Sequence, residues 1–393
     1  MSKSMEDAVI VAYGRSAVAR SGKGALRNTH PIEYAAEVLS AVLNKIPQLP
    51  VDEIEDVIIG CAKPELSQRY NIARLIAIRA GLPYSVPGQT VNRFCASGLQ
   101  SISTAANMIM TGQSSAMVAG GVESMTAIPY MGIGDAVFKD TWLDEHEPGV
   151  YMGMGLTAEL VAEKYGVSRE QMEEFSVLSQ QKAARAQENG ILAKDIIPVT
   201  AVDDEGNTFV FEKDESVRAN TTLESLAGLK APFKENGRVT AGTSSSTNDG
   251  VGIVVLTSAE TAREKGLKPL AKFLAFSVVG TDPKYMGIGP MEAISKVMKL
   301  TGLTVDDMDV VELNEAFAAQ AIPCIKETGL DPEKVNINGG AIALGHPLGA
   351  TGAILVGKAL TQLELQKDKY ALVSMCIGGG MGAAAILERL SDK

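Results

Sequence analysis

Gln89-Thr90-Val91-Asn92-Arg93-Phe94-Cys95-Ala96-Ser97-Gly98-Leu99-Gln100 runs from a short strand, through a cysteine, into a small-residue helix that continues to about Met110. Far downstream the same order returns. Val335-Asn336-Ile337-Asn338 leads through Gly345-His346-Pro347 into a helix reaching about Leu363. Cys95 and His346 thus hold equivalent places, each after a strand and just before a helix. The flanks repeat as well. Ala8 to Tyr13 is a short apolar run expected for a buried strand. Behind Pro31, the residues Ile32, Ala35, Ala36, Leu39 and Leu43 fall at helical spacing. Val57-Ile58-Ile59 is then a strand, Asn71 to Ala80 a helix and Ala116 to Ala119 a strand. The C-terminal part answers with strands at Phe273 to Val279, Asp309 to Leu313 and Tyr370 to Met375, and helices over Met291 to Leu300 and from Glu315. The alternation predicts a duplicated α/β unit with parallel strands and crossover helices.

The first copy is interrupted. Its last strand, Gly252-Ile253-Val254-Val255-Leu256, matches Ala383-Ala384-Ala385-Ile386-Leu387 in pattern but arrives only after about 130 further residues. Helices at Thr157 to Lys164 and Ser168 to Asn189 fall in this insertion, which is too long for a simple loop. It reads as a binding lobe or a dimerisation arm. The expected division is residues 1–121 with 250–268 as the first half, 122–249 as the insertion and 269–393 as the second half.

Composition excludes several classes. A net charge of −11 disfavours non-specific nucleic-acid binding. No apolar run approaches the roughly 18 residues of a membrane span. Met1 to Asp7 leads directly into a strand without a signal-peptide core, so a cytoplasmic protein is expected. Cys61, Cys95, Cys324 and Cys376 are widely spaced and form no CxxC pair. Neither a zinc site, nor any other metal site, nor a disulfide framework is suggested.

With only 4 Cys and 3 His in 393 residues, few nucleophile–base pairings exist. A thiol at the start of the helix after Cys95 would feel the positive end of its dipole. The expectation is a pKa below the roughly 8.5 of free cysteine. His346, among Gly339, Gly340, Gly349 and Gly352, can accept a proton near neutral pH, and this glycine density would let backbone approach a ligand. Cys376 ends an apolar strand and enters Gly378-Gly379-Gly380-Met381-Gly382, a turn able to point N–H groups at an oxyanion. Asn314 follows the strand Asp309 to Leu313 and can donate from its side chain, or else cap the next helix. Taken singly, each segment also fits a plain reading: an inert core cysteine, a satisfied turn histidine, a buried strand-end thiol.

Taken together, the segments Asn92-Arg93-Phe94-Cys95-Ala96-Ser97-Gly98, Asn314-Glu315-Ala316-Phe317, Gly345-His346-Pro347 and Cys376-Ile377-Gly378 resemble those of the thiolase family. So do Gly120-Gly121-Val122-Glu123-Ser124-Met125 and Val239-Thr240-Ala241-Gly242. The resemblance covers essentially the whole chain. It implies the thiolase fold: two similar α/β halves in a five-layered α-β-α-β-α core with an inserted loop domain. It further implies an acyltransferase, with Cys95 acylated by a thioester, His346 as its base and Cys376 exchanging the proton of the second substrate. One oxyanion hole would come from His346 and an Asn314-held water, another from the N–H groups of Cys95 and Gly378. Arg218, Ser225 and Ser245 match positions that contact coenzyme A, and Met154 and Phe317 match the acyl and pantetheine pocket. Coenzyme A is then a substrate and no cofactor is expected. Acyl-CoA and CoA are the expected partners of a homodimer or homotetramer.

The expected reaction is thiolytic cleavage of a 3-ketoacyl-CoA to acetyl-CoA and a shortened acyl-CoA, reversible as a Claisen condensation. The alternative is a short-chain enzyme making or cleaving acetoacetyl-CoA. Those members usually carry a His-Met pair where this chain reads Tyr151-Met152-Gly153-Met154, which favours broader substrates such as those of fatty-acid β-oxidation. A decarboxylating condensing enzyme is disfavoured by Cys376. A non-catalytic CoA- or lipid-binding relative is disfavoured by the presence of all four site residues. The run Thr243 to Thr247 is more hydroxyl-rich than the family's usual Asn-Ala-Ser-Gly.

Overall fold

A computed structural model describes residues 6–128 and 139–390. Its twelve strands are β1 (Ala8–Arg15), β2 (Ala19–Arg20), β3 (Asp56–Gly60), β4 (Gln89–Val91), β5 (Ala116–Ser124), β6 (Val199–Val202), β7 (Thr208–Phe211), β8 (Asn248–Ser258), β9 (Ala271–Gly280), β10 (Val310–Leu313), β11 (Tyr370–Ile377) and β12 (Met381–Arg389). Ten of them form one sheet, ordered β10-β11-β12-β9-β1-β8-β5-β3-β4 with β2 on β8. The duplication is visible in the pairing. β3 lies parallel to β5 and β4, as β10 lies parallel to β11 and, through a Val311–Val335 bridge, to the counterpart of β4. The two half-sheets meet where β1 runs antiparallel to β9.

Layering follows from which faces are apolar. The helix Pro31–Asn44 buries Tyr34, Val38, Leu39 and Val42 against one face of the first half-sheet. The helix Gly289–Thr301 does the same for the second half with Ile294 and Val297. Between the half-sheets lie the helices Ser97–Met110 and Leu348–Gln366, in a shared core that includes Leu99, Ile102, Met117, Val254, Val356, Val373 and Ala385. These two helices follow Cys95 and His346, so burying their apolar faces together brings the two segments into the middle of the molecule. The approach is close: a Cβ on Gly98 would lie 2.7 Å from the carbonyl oxygen of Gly349.

The stretch between β5 and β8 holds helices Met154–Tyr165 and Arg169–Glu188, a β6–β7 hairpin and the short helix Leu223–Ala227. Ser168 and Gln171 close a capping box on the long helix. Arg15 of β1 ties this stretch to the sheet by a two-pronged pair with Asp214 at 2.8 and 3.0 Å. The expected helix from Glu315 starts later, at Ala318. The buried Glu315 carboxylate receives Ser179 Oγ, Asn336 Nδ2 and the N–H of Ile342, which holds the preceding residues outside the helix.

Candidate active site

Cys95 occupies a tight turn, Phe94–Ala96, immediately before the helix Ser97–Met110. Phe94 takes the left-handed conformation (φ 44°). The side chain of Asn92 accepts its N–H at 2.8 Å, and Ser97 Oγ donates to its carbonyl at 2.6 Å. A strained residue held by specific hydrogen bonds beside a thiol is a frequent sign of a functional turn. The expected low pKa is not found. Desolvation pushes the half-buried Cys95 thiol up to about 11, against the pull of hydrogen bonds from the N–H groups of Gly378 and Cys95 itself. The helix dipole does not overcome the loss of water.

His346 lies buried beyond Gly345, whose φ of 104° suits a residue without Cβ. Its N–H donates to Asn248 Oδ1 at 2.9 Å. The ring Nδ1 is 2.6 Å from Thr351 Oγ1, which in turn donates to the Pro347 carbonyl at 3.0 Å. Thr351 has one proton and spends it on that carbonyl, so it accepts from Nδ1–H. The neutral ring then presents Nε2 as an acceptor. Asn314 Nδ2 lies 3.3 Å from that Nε2. Desolvation lowers the His346 pKa to about 4, which keeps the imidazole neutral at physiological pH. Asn314 therefore does not cap a helix: its amide faces His346, and its Oδ1 is buried without a protein partner.

Cys376 is the penultimate residue of β11, and burial with the nearby Cys95 and Cys324 thiols raises its pKa well above the ordinary thiol range. Gly379 and Gly380 beyond it have φ of 79° and 84°, turning the chain so that the Gly378 N–H reaches Cys95. Met154 brings its sulfur to 3.7 Å from a Cβ built on Gly378. Met154, Phe317 and Cys376 pack in one cluster.

The other expected contact residues are placed unevenly. Ser245 donates its N–H to the Ala316 carbonyl at 2.9 Å, and its neighbours bridge Phe317 and His346, so it borders the site. Arg218 presents an exposed side chain, its N–H held by Gln180 Oε1 at 2.7 Å. Ser225 is exposed, with its hydroxyl engaged in capping its own turn at Thr222. Neither is hydrogen-bonded to the Cys95–His346 set. The glycines around His346 also differ from expectation. Gly349 abuts Cys61 and Ala62, and Gly339 abuts Ala183, so they admit other chain segments rather than a ligand.

Thr351, Asn248 and Phe233 were missed by sequence reasoning. A hydroxyl in the first turn after His-Pro was a usable signal for Thr351. Nothing local pointed to Asn248, which is distant in sequence. Phe233 stacks edge-on to Phe317 with centroids 6.3 Å apart. Among the described residues, no group of His, Cys, Asp and Glu could hold a metal, and no helix is long and apolar enough to cross a membrane.

Comparison with known proteins gives this geometry its context. Residues 8–260 match the family model "Thiolase, N-terminal domain" and residues 267–389 match "Thiolase, C-terminal domain". A 3-ketoacyl-CoA thiolase of Bacillus subtilis is 47% identical over 392 residues, covering 98% of this chain and 100% of that protein. A beta-ketoadipyl-CoA thiolase of Acinetobacter baylyi is 44% identical, covering 98% of both. The crystal structure of a Bacillus anthracis acetyl-CoA acetyltransferase superposes with a TM-score of 0.92 at 40% identity, covering 99% of this chain and 100% of that one. By sequence over its full length and by fold, the chain belongs to the thiolase family of acyltransferases.

Proposed function

We propose that the protein cleaves 3-ketoacyl-CoA thioesters with free CoA, through an acyl-Cys95 intermediate. The observation that carries this is the neutral His346, its Nε2 presented as an acceptor just before the central helix that packs against the turn holding Cys95, a thiol protonated at rest. Such a site holds no standing ion pair, and the thiolate forms as attack on the carbonyl begins. Cys376 then carries the proton to or from the second substrate. The unpartnered Asn314 Oδ1 favours its holding a water for one oxyanion hole. The Gly378 and Cys95 N–H groups, already aimed at sulfur, suit the other.

The insertion at 122–249 serves in this reading as the CoA lobe, with Arg218, Ser225 and Ser245 as contacts and Met154 and Phe317 lining the acyl and pantetheine path. CoA acts as substrate, without a cofactor. The absence of histidine in Tyr151-Met152-Gly153-Met154 favours chains longer than acetoacetyl. Two halves, at 1–121 with 250–268 and at 269–393, complete the division. We also place the enzyme in the cytoplasm as a homodimer or homotetramer.

One experiment tests the chemistry and the substrate together. Acyl-enzyme is trapped from mixed acetoacetyl-CoA and C8 3-ketoacyl-CoA, and the acyl mass on the Cys95 peptide is read by mass spectrometry. An octanoyl-derived product of two fewer carbons is expected, and acetyl alone would move the assignment to the short-chain enzyme. Cys95→Ser abolishes turnover while CoA binding persists; normal turnover there refutes the mechanism.

A further inference from the structure

Between the Cys95 turn and the His346 helix lies one buried carboxylate. Glu123, near the end of β5, is 1% exposed. Its Oε2 accepts the N–H of Ala62 at 2.8 Å and that of Gly349 at 2.8 Å. Its Oε1 accepts Gln68 Nε2 at 2.8 Å, the Lys63 N–H at 3.3 Å and the Cys61 thiol at 3.8 Å. All five partners are donors, so the ionised form is the one that fits the site.

The two Oε2 contacts lead to the two expected catalytic residues. Gly349 lies in the first turn of the helix Leu348–Gln366, three residues after His346, and a carboxylate there complements the positive helix end. On the other side, the Ala62 carbonyl accepts Asn92 Nδ2 at 3.0 Å, and Asn92 Oδ1 accepts the N–H of Phe94, the left-handed residue before Cys95. A path of hydrogen bonds thus runs from the Cys95 turn through Asn92, Ala62 and Glu123 to the His346 helix. Ala62, before the insertion, and the His346 helix, in the C-terminal half, are far apart in the chain, and Glu123 on strand β5 joins them, a meeting that nothing local in sequence defines.

We propose that Glu123 is a positioning residue that sets the Cys95 turn and the His346 helix in register across the two halves. The proposal rests on the roles given above to Cys95 and His346. The titratable groups around it are the Cys61 thiol, the Tyr34 hydroxyl, which donates to the Glu123 carbonyl at 3.1 Å, and Asp249 on the neighbouring strand β8.

The test is Glu123→Gln in the full-length enzyme. The amide keeps the shape but turns one acceptor into a donor facing donors. A misplacement of about 1 Å can cost on the order of a hundredfold in rate, so kcat is expected to fall at least about tenfold with the KM for CoA within about twofold. Glu123 also raises the Cys95 pKa electrostatically. The pH midpoint of Cys95 alkylation by iodoacetamide is therefore expected to fall, which mere loss of folded protein would not produce. Unchanged kcat, or a KM for CoA that rises along with the fall in kcat, overturns the proposal. If Glu123→Gln does not fold, Asn92→Ala at the exposed link is expected to lower kcat about fivefold with normal melting; full activity there overturns it. Failure of the catalytic reading itself would show separately, as turnover by Cys95→Ser.

Discussion

At His346, burial and hydrogen bonding act on the same ring with different results. Burial lowers its pKa to about 4, while Thr351 decides which nitrogen keeps the proton. An unfolded chain binds a proton at this side chain from about pH 6.5 downward, the folded chain only from about 4. Stability contributed above pH 6.5 is thus lost as pH falls toward 4, by roughly 3 kcal/mol. His346→Gln is expected to lose less melting temperature than wild type between pH 6.5 and 4.5, and parallel melting curves would contradict this. Thr351→Val removes the acceptor for Nδ1–H. General-base placement contributes on the order of a hundredfold or more to rate. Turnover should therefore fall at least about tenfold at nearly constant KM, with Thr351→Ser restoring it; steady-state kinetics of both variants check the point. The identity of these side chains was legible in sequence. Their proton affinity was not, because desolvation depends on what covers them. Cys95 shows this most sharply, since a helix start alone predicted a lowered pKa and burial raised it.

Secondary structure was legible where its cause is local. Pro31, the Ser168–Gln171 capping box and the apolar spacing of Ser97–Met110 each determine an element from within it. The start at Ala318 rather than Glu315 was not legible, because the donors to Glu315 come from Ser179, Asn336 and Ile342, on other elements. Packing of the two central helices carries a prediction at this scale. A Cβ at position 98 would meet the Gly349 carbonyl at 2.7 Å and the Ala353 nitrogen at 3.0 Å, both backbone and unable to rotate away. Gly98→Ala is expected to destabilise by about 1–3 kcal/mol and to lower kcat, since the helices following Cys95 and His346 are pushed apart. Urea unfolding with parallel kinetics measures both, and a variant as stable and active as wild type would exclude so tight a contact.

For the whole molecule, the short edge strand β4 bears on assembly. Tyr70 and Tyr84, 76% and 83% exposed, lie on the segments that precede it, which are tied together by Asn71 donating to the Gly88 carbonyl and Arg74 to the Tyr84 carbonyl. For the homodimer or homotetramer proposed above, an open edge beside exposed aromatics is the candidate surface to be covered by a second copy. Tyr70→Lys with Tyr84→Lys is expected to shift the sedimenting species toward monomer, and an unchanged species would place the interface elsewhere. The duplication, the interruption after β5, and the four cysteine, histidine and asparagine segments were determined by sequence alone, because periodicity, turn chemistry and residue identity are written locally. Tertiary structure alone decided that the half-sheets join at β1 and β9, that Thr351 orients His346, and that Glu123 bridges the halves. Each depends on groups far apart in the chain, whose meeting is set by burial of the central helices rather than by any pattern along the chain.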